Sequence, residues 1–122
     1  MILTPATAGG RKGPGYTDLV VDFAFGNVPG QMLLGKVPAK MFVECVAMRI
    51  TTPFDRPVLL EVGRLAAPAE LMLAADNNPA IVDVYRVWPD QQYVVATDVY
   101  LTLTPVGLSP TAGSGHVTLY LS

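Results

Sequence analysis

The side chains with chemical reach are few. His116 is the only histidine, in "GSGHV". With Ser114 or Ser109 and an aspartate it would complete a Ser-His-Asp inventory. That chemistry needs its serine on a strained strand-to-helix elbow or an equivalent cradle, and neither serine has those flanks. His116 therefore reads as a solvent-facing or packing histidine at the start of a strand. Cys45, the only cysteine, lies inside "FVECVAM" and reads as an inert buried thiol. A metal site needs several ligands converging, and one histidine and one cysteine on different strands do not supply them. Asp18 with Asp22, or Asp76 with Asn77 and Asn78, are oxygen donors for calcium, but they lack the loop spacing and closing glutamate of an EF-hand. The second group reads as a turn that ends a helix. Paired carboxylates for glycoside hydrolysis usually line clefts of larger domains rich in exposed aromatics. Trp88 is the only tryptophan here. It is either a sugar platform or an interface anchor, and its place beside a turn favours the anchor. "TAGSG" and "GKVP" hold glycines without the phosphate-loop order. The expectation is no enzyme, no cofactor and no metal.

Composition narrows the class. A chain of 122 residues fits one domain with a real core. A single cysteine excludes an internal disulfide framework and fits assembly in a reducing compartment. The N-terminal "MILTPATAGGRKGPGY" has its basic pair after its apolar residues, the wrong order for a secretory signal. No apolar run reaches the ~18 residues of a membrane span. The net charge is −2 and the 8 basic residues are scattered, which leaves no footprint for nucleic acid. The chain is 51% hydrophobic but only 15% charged, against about 25% charged in ordinary soluble domains. From Val99 to Ser122 there is no Asp, Glu, Lys or Arg. Apolar surface covered by partners accounts for this better than a well-filled core alone.

The elements that must position these residues are strands. Residues 1–16 read as a flexible arm rich in glycine, and 17–122 as a single β-sandwich domain. "DLVVDFAF" alternates, with Leu19, Val21, Phe23 and Phe25 on one face. "QMLLG" is a short strand and "KVPAK" an extended link. "AKMFVECVAMRITT" is long and apolar on both faces. "PFDRP" is a turn, and "VLLEVG" returns, so Lys40–Gly63 reads as a hairpin. "APAELMLAAD" is the one helical excursion, of two turns with Pro68 in the first. "AIVDVYRVW" alternates. "YVVATDVYLTLTPV" reads as one strand with Tyr93, Val95, Val99, Leu101 and Leu103 inward. "HVTLYL" closes the chain with Val117, Leu119 and Leu121 inward, beside one neighbour and with a free edge. Short strands with a turn every 8–12 residues predict an all-β antiparallel β-sandwich or jelly roll.

Two stretches carry a resemblance. "VECVAMRITTPFDRPVLLEVGR" and "YVVATDVYLTLTPVGLSPTAGSGHVTLYL" cover about half the chain. They resemble a strand–turn–strand run through "T-x-F-D" to "VG", and an ending through a "TAG" loop to a strand closing on an aromatic. Both occur in small β-sandwich head decoration, or cement, proteins of tailed bacteriophages. The resemblance implies a virion structural protein, assembled in the host cytoplasm and bound to the capsid exterior. It implies a homo-oligomer, dimer or trimer, that clamps the major capsid protein. No catalytic residue comes with it.

The expected contacts follow. The arm, Thr4–Tyr16 with Arg11, Lys12 and Tyr16, reaches a neighbouring subunit. Trp88 and Pro89 with their turn, and the terminal aromatic Tyr120, sit at an oligomer or capsid contact. Partners exclude nucleic acid and membrane. The alternative is a carbohydrate-binding or tail-fibre module that stacks sugars on Trp88, Tyr85 and Tyr93. A weaker one is a small hydrolase built on His116.

Overall fold

The computed structural model describes residues 18–122. The arm and its candidate contacts Arg11, Lys12 and Tyr16 lie outside the described residues. Nine strands follow in chain order: β1 Leu19–Ala24, β2 Gly30–Val37, β3 Phe42–Thr52, β4 Val58–Arg64, β5 Ala67–Met72, β6 Val84–Val87, β7 Gln91–Gln92, β8 Thr97–Pro105 and β9 Ser114–Leu121. They form two antiparallel sheets, β1-β9-β3-β6 with β7 also on β3, and β2-β8-β4-β5. Successive strands pass from one sheet to the other at every connection except β4–β5 and β6–β7. This is the winding of a jelly roll, an arrangement of two Greek keys, and it bears out the expected fold class.

Alternation builds the core. Phe23, Val46, Met48, Ile50, Val117, Leu119 and Leu121 from the first sheet meet Leu34, Leu60, Val62, Met72, Val99, Leu101 and Leu103 from the second in one buried cluster. Each such side chain stabilises the fold by about 1.5–3 kcal/mol. Two bulges reset the alternation. One at Glu44 shifts the pairing with β9 between Val43 and Cys45, so Val43 faces the core together with Val46 while Cys45 faces outward. The other lies between Leu33 and Gly35 in β2. It joins "QMLLG" and "KV" into one strand that buries both Leu34 and Val37.

Phe25 lies beyond β1 and is exposed, the strand expected over "AIVDVYRVW" begins only at Val84, and four larger departures concern the sheets. Lys40–Gly63 is not a hairpin, because β3 and β4 lie in different sheets. Both edges of β3 are already occupied, by β9 on one side and by β6 and β7 on the other. The expected helix is a strand over Ala67–Met72, followed only by a single 3-10 turn at Ala74–Asp76. Propensity differences are a few tenths of a kcal/mol per residue, and a two-turn helix nucleates poorly. Pairing with β4 buries Leu71 and Met72 instead. The "YVVATDVY" strand begins only at Thr97. Tyr93 is pinned to other elements, and Val95 points to solvent. Lastly, β9 has no free edge, since it pairs with both β1 and β3. That explains how a charge-free terminal strand is held: it is the middle of its sheet.

Candidate interaction surface

Ser114, His116 and Asp22 share the outer face of the first sheet, but no hydrogen bond links them among the described residues. The Ser114 hydroxyl hydrogen-bonds Thr51 Oγ1 at 2.9 Å, and no hydrogen bond joins Ser114 to His116. His116 lies on the outer face of the first sheet, between Asp22 on β1 and Arg49 on β3. Cys45 is buried under neighbours on that same face, and burial pushes its thiol above the ordinary value. Asp18 accepts from the Leu121 N–H at 3.2 Å. Asp76 accepts from the Leu73 N–H at 2.9 Å, Asn77 donates to Leu60 O at 3.0 Å, and Asn78 accepts from the Ala80 N–H at 3.1 Å. Asp76 and Asn78 shape local turns, while Asp18 and Asn77 tie separate segments together. Among the described residues no three His, Cys, Asp or Glu side chains are grouped to hold a metal ion.

The aromatics separate into different roles. Trp88 is 69% exposed, while Tyr93 is buried. The Tyr85 hydroxyl donates to the carbonyls of Asn78 and Ile81, both at 3.0 Å. Only the indole presents an open face, so the three rings do not form a shared stacking platform. Pro89 and Tyr120 are half-buried. Tyr120 stands opposite Cys45, and Trp88 follows directly on the Val87–Val46 pair, so the two aromatics fall at one level of the first sheet's outer face.

At the end of the sandwich where β1 starts, Tyr93 is an anchor. Its N–H donates to Met41 O at 3.2 Å, and its carbonyl accepts from Lys40 N–H at 2.6 Å. Its hydroxyl donates to Glu70 Oε2 at 2.5 Å, and Glu70 takes a bidentate fork from Arg64 at 2.7 and 2.8 Å. The Arg64 hydrogen bonds hold the Glu70 carboxyl below the usual range, with Tyr93 adding to the effect. Burial, and then the Glu70 carboxylate, push the Tyr93 phenol well above its ordinary value. The chain on either side of this anchor is pushed outward: Trp88 on one side, Val94 and Val95 at 71% and 68% exposure on the other. Tyr93→Phe keeps the ring and removes one hydrogen bond to a charged acceptor. It should lower unfolding free energy by about 1.5–3 kcal/mol, read by urea denaturation. An unchanged midpoint would mean the hydroxyl is not a fastener.

At the opposite end the two stretches quoted above meet. Asp55 of "PFDRP" accepts from the backbone N–H of Thr111 at 2.8 Å and of Ala112 at 3.1 Å, and from the Thr111 hydroxyl. Arg56 Nη1 donates to Ser109 O at 3.0 Å. Gly113 has φ +137° beneath the Phe54 ring, where a β-carbon would come within 2.4 Å of the ring. The turn thus holds the "TAG" loop in place. The Thr111 hydroxyl, followed by the backbone donors, lowers the Asp55 pKa below its ordinary 3.8. A depressed carboxylate contributes stability that is present above the unfolded value and lost as pH falls through the folded one. Wild type should therefore lose stability below about pH 4 more steeply than Asp55→Asn. Parallel acid titrations of the two would refute the cap. A cleft of about 300 Å³ opens beside this turn, lined by Phe54, Arg56, Pro57 and Pro79 among others.

Among the described residues thirteen large apolar side chains are exposed, and ten of them lie outside strands: Phe25, Leu65, Leu73, Ile81, Val82, Trp88, Val94, Val95, Val106 and Leu108. Sequence reasoning singled out Trp88 but placed Val95 in the core and did not mark Val94 or Leu108. The "VV" doublet after Tyr93 was the available signal, because two adjacent valines cannot both face one core from a regular strand. No protein-family model, curated protein or solved structure matches this chain.

Proposed function

We propose that this chain is a virion structural protein, a decoration or cement protein that binds the outside of a bacteriophage head through oligomeric contacts with the major capsid protein. The observation that carries the reading is the placement of exposed apolar side chains on connections. Loops are ordinarily polar, and the apolar side chains gathered at one end of the sandwich, Leu65, Trp88, Val94 and Val95 about the Tyr93 anchor, are the kind of group a partner covers. The jelly-roll core satisfies its own packing, so these side chains are surplus to folding. A binding role is supported by the engagement of Asp18, Asp55, Asp76 and Asn78 with backbone N–H groups, which uses these polar side chains to hold the fold. The resemblance of Val43–Arg64 and Tyr93–Leu121 to phage decoration proteins adds a specific partner. The protein acts without a cofactor and without enzymatic activity, is made in the host cytoplasm, and ends on the capsid exterior.

The test is co-sedimentation with assembled, empty capsids against isolated capsid subunits. Binding to the lattice with little binding to free subunits is expected, because several weak contacts reinforce one another only on an assembled shell. A chain that stays in the supernatant with capsids of its own phage would end the proposal.

A further inference from the structure

The four outer strands of the two sheets are unequal. Edge strands expose unpaired backbone groups and are normally blunted by proline, charge, bulges or shortness. β2 carries a bulge, Gly35 at φ +147°, and Lys36 in an ion pair with Asp98 at 2.9 Å. β5 holds Pro68, shows an irregular register with β4, and is crossed by the Arg64–Glu70 fork. β6 is four residues long and ends before Trp88-Pro89. β1 is six residues with no proline, glycine or bulge, in unbroken register with β9, and the exposed Asp22 is its one charge.

The hydrogen-bond phase of β1 can be read directly. The Phe25 N–H donates to Gly113 O at 2.9 Å, toward the β9 side. Antiparallel ladders direct alternate residues to the same side. Leu19, Val21 and Phe23 therefore bond β9, and Val20, Asp22 and Ala24 turn their backbone groups to the open edge. The Ala24 N–H is already taken by Asn27 Oδ1 at 2.8 Å, which closes one end of that edge. Among the described residues Val20 and Asp22 remain without a strand partner on that side, two residues apart, each with an N–H and a C=O facing outward.

We infer that two copies of this chain join through these groups, β1 pairing antiparallel with β1 of a second copy about a two-fold axis at Val21. The inference rests on the reading of the protein as an oligomer and names its interface. The pattern is self-complementary: Val20 exchanges both bonds with Asp22 of the partner subunit, and Asp22 does so with Val20 of the partner subunit. Val21 meets its own symmetry mate as the non-hydrogen-bonded pair. On the outer face Val20, 57% exposed, lies beside the partner's Asp22, so the two carboxylates are diagonal, not opposed. Any antiparallel strand could take these backbone bonds; a second copy is the occupant we infer because the same two outward residues meet in register about one two-fold axis.

The test is the mass of the whole protein in solution, with variants chosen by phase. Wild type should run at twice the 13.0 kDa chain. Val20→Pro removes an N–H that β9 does not use, and should run as a single chain that still unfolds cooperatively, at a melting temperature that no longer depends on protein concentration. Val21→Cys should cross-link to itself on mild oxidation, since non-hydrogen-bonded pairs lie about 4.5 Å apart at Cα, within disulfide reach. Val20→Cys, diagonal to its mate at about 7–8 Å, should not. A wild-type mass of one or three chains overturns the inference, as does a Val20→Pro dimer or equal cross-linking at both positions. If Val20→Pro does not fold, the cross-linking pair decides. Capsid binding is scored separately: a dimer that ignores capsids removes the decoration reading and keeps this interface, and a monomer that binds them does the reverse.

Discussion

Leu119→Ala should destabilise the protein by about 2–5 kcal/mol, a large share of the 5–15 kcal/mol typical of a domain. Leu119 is fully buried, and its strand lies between Leu19 of β1 and Val46 of β3 in register. Its removal leaves a cavity that two fixed neighbouring strands cannot collapse into. The matched control is Val20→Ala on the exposed face of β1, expected within about 0.5 kcal/mol of wild type. Urea denaturation reads both, with the slope unchanged if the transition stays two-state. Ending the chain after Gly113 should abolish the folded state altogether, because β1 would lose its one paired neighbour among the described residues and β3 the strand along one of its two edges. A loss below about 1 kcal/mol for Leu119→Ala would mean that this strand is peripheral.

That result bears on what could be read before any fold was known. The inward sets of β8 and β9, Val99, Leu101 and Leu103 with Val117, Leu119 and Leu121, are legible because alternation over several residues admits one burial pattern. The sheet to which a strand belongs is not written in its own residues. β3 and β4 sit either side of a five-residue turn, which allows a hairpin or a crossing, and the competition for the edges of β3 decides. The same holds for β9: whether it has one neighbour or two depends on β1, nearly a hundred residues earlier. Ala67–Met72 misleads for a related reason. Its helix formers act weakly one by one, and the free edge of β4 and the Arg64–Glu70 pair act through residues outside the window. Bulges at Glu44 and in β2 shift the alternation by one residue, which a fixed period of two cannot follow. At the surface, Trp88 was legible as a lone indole beside a turn. Val94 and Val95 were not, because their exposure follows from Tyr93 being held by Lys40, Met41 and Glu70.

On the proposed decoration role, those two valines carry the largest functional effect expected. The end of the sandwich where β1 starts presents Leu65, Trp88, Val94 and Val95 around the Tyr93 anchor. The loop is fixed before binding, so little ordering entropy opposes docking. Val94→Asp with Val95→Asp would place two unpaired carboxylates in the contact. Removing a hot spot typically costs 2 kcal/mol or more, burying an unpaired charge costs several, and each 1.4 kcal/mol is tenfold in affinity. Capsid affinity should fall by at least about 100-fold, with the melting transition near wild type because both side chains are solvent-exposed in the free protein. Trp88→Ala should weaken binding by about 30-fold. Leu108→Asp, at the opposite end and equally exposed at 71%, serves as the counter-test. If Leu108→Asp releases the protein from capsids while the valine variant binds normally, the docking end is the one around Asp55 and the "TAG" loop. If neither variant changes co-sedimentation, the exposed loops are not the binding surface, and the observation that carries the proposed function loses its meaning.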